Sequence, residues 1–308
     1  MKKIIFALLA VAAMVGCAKE EVIELNREQI GFGEVFVDNA TRADYSSGKP
    51  VEAFKVYGTI TALENTAQIF NGANVTRGSK ADGEAWGCDN VQYWMPNAVY
   101  NFAAIVDGEA VATTALPVTI NHTVADGANN KDLLYATATV ETDETAAPDN
   151  VNGNGVVAFN FSHLLSKLQF NIVNATNQTY QVTEIRVTGV AKEGVYTVNG
   201  GTWAQSGVTT TELTFGTATV AGGDTEPASE TRQILPLPVA QTLNVTITYD
   251  VMSGDDVVGT LTKEGTITQT FAKNTVYAVT ATLTGSAIDF SLGTVGGWGA
   301  ENGEITVQ

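Results

Sequence analysis

Apolar and polar residues alternate one by one along much of this chain. Leu243, Val245, Ile247, Tyr249 and Val251 fall on one face, and Asn244, Thr246, Thr248 and Asp250 on the other, which is the period of a strand with one buried side. Tyr277, Val279, Ala281 and Leu283 repeat the pattern against Ala278, Thr280, Thr282 and Thr284, and Phe54, Val56 and Ile60 do so nearer the N-terminus. No stretch carries a comparable 3.6-residue period. Turn signals interrupt the alternation at Asn71-Gly72, Asp82-Gly83, Asp107-Gly108, Asp126-Gly127, Asn199-Gly200-Gly201, Ser253-Gly254-Asp255 and Asn302-Gly303. These residue pairs accept the positive backbone angles that tight hairpins need. Many short antiparallel strands bury their apolar faces most simply as packed sheets, so the expected fold is all-β and built of antiparallel sandwiches.

Between Thr142 and Gly155 the sequence TDETAAPDNVNGNG is poor in bulky apolar residues and rich in Pro, Gly, Asn and Asp. It reads as a linker and divides the chain into a first sandwich, residues 43–155, and a second, residues 156–308. Both halves have ordinary domain size. A second loop-like stretch, Ala221 to Glu230, is expected to lie within the second half.

The N-terminus reads as an address. Lys2 and Lys3 precede a short apolar run from Ile4 to Val15, which ends at Met14-Val15-Gly16-Cys17. The run is too short to span a bilayer and has the layout of a secretory signal, residues 1–16. Its end resembles a bacterial lipobox, which makes Cys17 the lipidated first residue of the mature chain. An ordinary signal cut nearby would instead leave Cys17 as a disulfide candidate for Cys88, the other of only two cysteines.

Composition narrows the function. The 308 residues are 44% apolar, which excludes global disorder, and carry 16 Lys+Arg against 33 Asp+Glu for a net charge of −17. Loss of Lys2 and Lys3 with the signal makes the mature chain more acidic still. Nucleic acid is excluded as a partner, because phosphate binding rests on clustered Lys and Arg. The two histidines, His122 and His163, have no Cys or His at metal-ligand spacing and read as structural, so no metal or other cofactor is expected. No G-x-S-x-G is present. The carboxylate pairs Asp255-Asp256 and Glu20-Glu21 sit in a turn and on the tether. Catalysis therefore has no visible home, and the chain is expected not to be an enzyme. Trp86, Tyr93, Trp94, Trp203 and Trp298 read first as core or interface packing, and second as platforms for sugar rings.

Several segments taken in order resemble the fimbrillin family, the FimA/Mfa-like lipoproteins that build type V pili in Bacteroidetes. After the lipobox come Ile30-Gly31-Phe32, Ala40-Thr41-Arg42-Ala43, Phe54-Lys55-Val56-Tyr57-Gly58, and Tyr93-Trp94-Met95-Pro96 with Tyr100-Asn101-Phe102. Asp132-Leu133-Leu134-Tyr135-Ala136 and Phe161-Ser162-His163-Leu164-Leu165-Ser166-Lys167-Leu168 follow. The last is the most specific. Lys19-Glu20-Glu21, just after Cys17, looks like the acidic surface-export signal of lipoproteins from the same bacteria.

The resemblance implies two tandem transthyretin-like sandwiches, no catalysis, and a stalk or tip subunit of a fimbria at the outer membrane that serves cell adhesion. It further implies that the lipid on Cys17 carries the precursor to the surface and that an arginine-specific protease removes the tether and first strand, residues 17–42. A strand from another pilus subunit then fills the vacated groove. Arg42 is the cleavage candidate, since it follows that strand and precedes a polar stretch. Ile30, Phe32 and Phe36 are the expected anchors of the exchanged strand, interrupted by Glu34, which either faces a rim or marks a bulge that turns Val35 and Val37 inward. Ile305 and Val307, in the alternating segment Glu304–Gln308, are the expected anchors of the donor strand. Alternatives are an anchor subunit that keeps its first strand, and a surface lipoprotein that binds glycans. The subunit's adhesive target would be a host protein or glycan.

Overall fold

The computed structural model describes residues 28–37, 51–78, 86–110, 115–149, 156–228, 230–284 and 288–297. Among the described residues the chain is almost wholly β-strand, with one short 3-10 turn at Gly127–Asn129. In the first half the strands are β1 (Gly31–Val37), β2 (Ala53–Ala62), β3 (Asn65–Arg77), β4 (Trp86–Cys88), β5 (Val99–Val106), β6 (Glu109–Ala110), β7 (Thr119–Thr123), β8 (Leu134–Glu141) and β9 (Val156–His163). Those of the second half are β10 (Ser166–Asn174), β11 (Thr179–Ala191), β12 (Glu193–Thr197), β13 (Thr202–Gln205), β14 (Thr210–Phe215), β15 (Ala218–Val220), β16 (Thr225–Pro227), β17 (Arg232–Ile234), β18 (Gln241–Ser253), β19 (Asp256–Gln269), β20 (Thr275–Leu283) and β21 (Ile288–Gly297).

A seven-stranded sheet, in the order β1-β9-β8-β5-β2-β3-β4, forms the first half. It rolls until its ends meet: Gln29, before β1, bridges to Tyr93, after β4, and Ile30 N–H donates to Gln92 O at 2.9 Å. The roll encloses an aromatic core of Phe32, Phe54, Phe70, Phe102, Phe159, Phe161, Trp94 and Tyr100. Tight packing demands glycine at Gly58, where a Cβ would come within 2.9 Å of both the Phe70 and Phe102 rings.

Two sheets face each other in the second half, β16-β10-β20-β21 with β17 also on β10, and β14-β11-β18-β19 with β15 also on β11. The alternation at 243–251 and 277–283 becomes β18 and β20, whose inward residues Leu243, Val245, Ile247, Tyr249, Val279, Ala281 and Leu283 are fully buried. The stretch 221–230, expected as loop, contains β16, which pairs with β10. Two pairs, β1–β9 and β10–β20, are parallel within otherwise antiparallel sheets.

The halves are joined by more than a linker. The chain continues past 142–155 into β9, which belongs to the first sheet, and it crosses between the cores at Leu164 and Leu165. A fourth sheet, β13-β12-β7-β6, draws strands from both halves, with β7 and β12 paired from Thr119↔Thr197 to Thr123↔Glu193. The loop after β7 adds side-chain ties: Asp126 accepts from Thr214 N–H (2.9 Å) and Arg232 Nε (3.3 Å), while Asn130 exchanges hydrogen bonds with the Gln233 backbone.

Candidate functional site: the first strand and its groove

β1 is the edge of its sheet, yet its side chains complete the core. It runs parallel to β9, from Gly31 opposite Val156 to Val37 opposite Phe161. Ile30 and Phe32 are buried, at 1% and 3% exposure. The Phe32 ring meets Phe70, Phe102, Phe159 and Phe54 at centroid distances of 5.4, 5.8, 6.0 and 6.4 Å, three of them edge-on, the geometry aromatic quadrupoles favour. Gly31 is required by the close approach of β9, because a Cβ there would come 2.9 Å from Val156 Cγ1.

The register slips between Gly33 and Val35, so that Glu34 is the extra residue of a bulge. The slip reverses the alternation beyond it. Val37 turns inward and is buried, Val35 packs against the core from its margin, and Phe36 is only half-buried. The inward series is therefore Ile30, Phe32 and Val37, with Phe36 in the place sequence alternation alone would assign inward. Burying each such side chain is worth about 1.5–3 kcal/mol, an upper figure because unfolded chains already hide some surface. Of the two alternatives open at Glu34, the structure has the bulge, which turns Val37 inward. The missed members of the groove are Val156, Phe159 and the closing segment Gln92–Trp94, which depend on long-range pairing. Cys17, Arg42, Ile305, Val307 and Trp298 lie outside the described residues.

Other sequence-flagged groups sit apart from this groove. His163 Nδ1 shares a short hydrogen bond with Asp132 Oδ2, both side chains buried at the crossover between the cores. Asp132 Oδ1 also accepts from Leu133 N–H at 2.8 Å, and burial raises the Asp132 carboxyl above its usual range against the pull of His163. His122, on β7, is buried beside Trp203, and desolvation lowers its pKa to about 4. Both histidines are thus bound into the joint between the halves. Trp94 and Trp203 are each 3% exposed and belong to the cores, and Trp203 Nε1 donates to Leu164 O at 2.8 Å. Trp86 is half-buried and Tyr93 is 49% exposed. Asp255 and Asp256 lie at the β18–β19 turn. Cys88 is a free, half-buried thiol that burial pushes upward. Among the described residues no group of three His, Cys, Asp or Glu side chains converges as a metal site would require.

Comparison with known proteins gives the family of this fold. Residues 41–298 match the model of the fimbrillin-like family, and the chain belongs to that family. Its fold is similar to that of a fimbrial protein from Bacteroides vulgatus ATCC 8482, with TM-score 0.61 and 19% identity over 89% of this chain and 100% of that one. Two candidate cell adhesion proteins are similar as well. That from Bacteroides ovatus ATCC 8483 has TM-score 0.55 and 17% identity over 90% and 99% of the two chains. That from Bacteroides uniformis ATCC 8492 has TM-score 0.54 and 16% identity over 86% and 96%. No curated protein sequence matches the chain.

Proposed function

We propose that the chain is a non-enzymatic structural or adhesive subunit, stalk or tip, of a cell-surface type V pilus, assembled by strand exchange at the β1 groove. Family membership supports the pilus or adhesin class. The observation that carries the exchange is β1 itself: a strand at a sheet edge, paired on one side by β9, whose Phe32 occupies the middle of an aromatic core. Removing it leaves unpaired backbone on β9 and an apolar slot, and another strand with matching inward residues satisfies both.

In this reading the lipid on Cys17 holds the precursor at the outer membrane, and an arginine-specific protease cuts after Arg42. Release of residues 17–42 opens the groove, and the C-terminal segment of another subunit, anchored by Ile305 and Val307, fills it. Intact mass and N-terminal sequencing of the surface protein, with oligomers followed before and after Arg-specific proteolysis, tests this. A chain beginning at Ala43 that forms ladders is expected. A lipidated chain beginning at Cys17 that stays monomeric after treatment would overturn the stalk reading and leave the anchor role, which a fully seated β1 also fits.

A further inference from the structure

A second concave site lies away from β1, on the outer face of the first sheet. Its wall is a row across three strands, Ile105, Lys55 and Asn74, which stand in register on one face of β5, β2 and β3. The next pair, Ala53 and Thr76, extends the wall. The rim is the turn after β5. Asp107 there adopts a left-handed φ of 54°, and Gly108 packs so closely that a Cβ would overlap Leu133. This turn holds two carboxylates against two lysines: Asp107 Oδ1 lies 3.2 Å from Lys131 Nζ, and Glu109 Oε1 lies 3.1 Å from Lys55 Nζ. The open cleft measures about 470 Å³, within the range of small-molecule sites.

The chemistry of the cleft selects its ligand. In a chain of net charge −17, the mouth carries two cations and two anions and is locally neutral. An anionic ligand would meet Asp107 and Glu109, and a cationic one Lys55 and Lys131. A group that gains from both at once must donate to a carboxylate and accept from an ammonium, which a hydroxyl does. Exposed ion pairs contribute little by themselves, so a ligand can share their atoms at small cost. Asn74 Nδ2 is held by Asp89 Oδ2 at 2.8 Å, which leaves the amide oxygen to accept. The Thr76 hydroxyl stands beside it, and the exposed Ala53 side chain, next to buried Ile105, offers a small apolar floor. We infer that this cleft binds a neutral saccharide, its C–H face on the floor and adjacent hydroxyls bridging the Lys55–Glu109 and Lys131–Asp107 pairs.

The site shares no residue with β1, so it is tested on the uncut, unassembled chain and stands or falls apart from strand exchange. The probe is a panel of neutral methyl glycosides together with a sialylated oligosaccharide, followed by amide chemical shifts. Neutral glycosides are expected to move residues 55, 74, 76 and 107–109 with millimolar affinity. Asp107→Asn, which tolerates the left-handed backbone, and Lys55→Met are each expected to weaken binding by at least about tenfold with melting unchanged, the loss of one hydrogen bond to a charged group. Thr76→Val, away from both ion pairs, gives a second check should either variant melt early. The inference is overturned if no neutral glycoside moves these residues at about 50 mM, far above millimolar affinity, if the sialylated sugar binds more tightly, or if binding survives the substitutions.

Discussion

β1 and β19 are both edge strands, and they hold to the protein in opposite ways. β19 is twice as long and pairs with β18 from Gln269 to Asp256, yet of its side chains only Ile267 is buried. Seven-residue β1, with Ile30 just before it, sends Ile30, Phe32 and Val37 into the first core. Backbone ladders contribute little net stability because water competes for the same groups, so the buried side chains decide what each strand is worth. The edges also differ in how they are guarded. On β19, Lys263 stands opposite buried Ile247 and therefore on the inner face, an inward charge that discourages another strand from docking. The free side of β3 is covered differently, by Asn90 Nδ2 donating to Ile69 O at 3.1 Å and Asp89 Oδ1 accepting from Asn74 N–H at 3.0 Å. On β1, every described inward position is apolar or glycine.

The sharpest way to break this contrast is to truncate one side chain in each edge. Phe32→Ala is expected to cost about 3–5 kcal/mol, whereas Val258→Ala, on exposed β19, should stay within about 0.5 kcal/mol; denaturant midpoints would show a comparable loss at both sites if strand length rather than burial were decisive. Acid probes the joint rather than either edge. Burial depresses the His122 pKa to about 4 from 6.5, so between these values the unfolded chain binds a proton that the folded chain refuses. Stability should therefore be full above pH 6.5 and fall as the pH drops towards 4, by at most about 3 kcal/mol; His122→Phe should flatten that part of a pH–stability curve.

Smaller effects sharpen the picture of β19. At Gly265 a Cβ would overlap the Phe290 ring, so Gly265→Ala should cost about 1–3 kcal/mol by overpacking, measured by thermal melting. Lys263→Val should promote association in sedimentation experiments; a strictly monomeric variant would mean that the lysine is not what protects the edge.

The sequence pattern revealed faces more readily than partners. Alternation located the strands around residues 54–60, 243–251 and 277–283 and predicted their inward residues, because a period of two depends only on local geometry. It could not show that β7 pairs with β12 or that β9 lies beside β1, since pairing across distant segments leaves no local trace. The composition of 142–155 signalled a break in the chain, but the first sheet resumes after it with β9. In the groove, Ile30 and Phe32 were legible as apolar residues two apart. Val37 was legible only as one of two alternatives, because local alternation does not show whether Glu34 is an extra residue that shifts every later side chain to the other face.

The sheet that takes β6 and β7 from one half and β12 and β13 from the other also has a mechanical meaning. A tether between two beads yields to a pull by uncoiling, one bond at a time. Here the halves can part only if the rungs from Thr119↔Thr197 to Thr123↔Glu193 give way, along with the grip of Asp126 on Thr214 and Arg232. A pull that separates the halves must therefore break a seam of paired strands rather than draw out a slack tether.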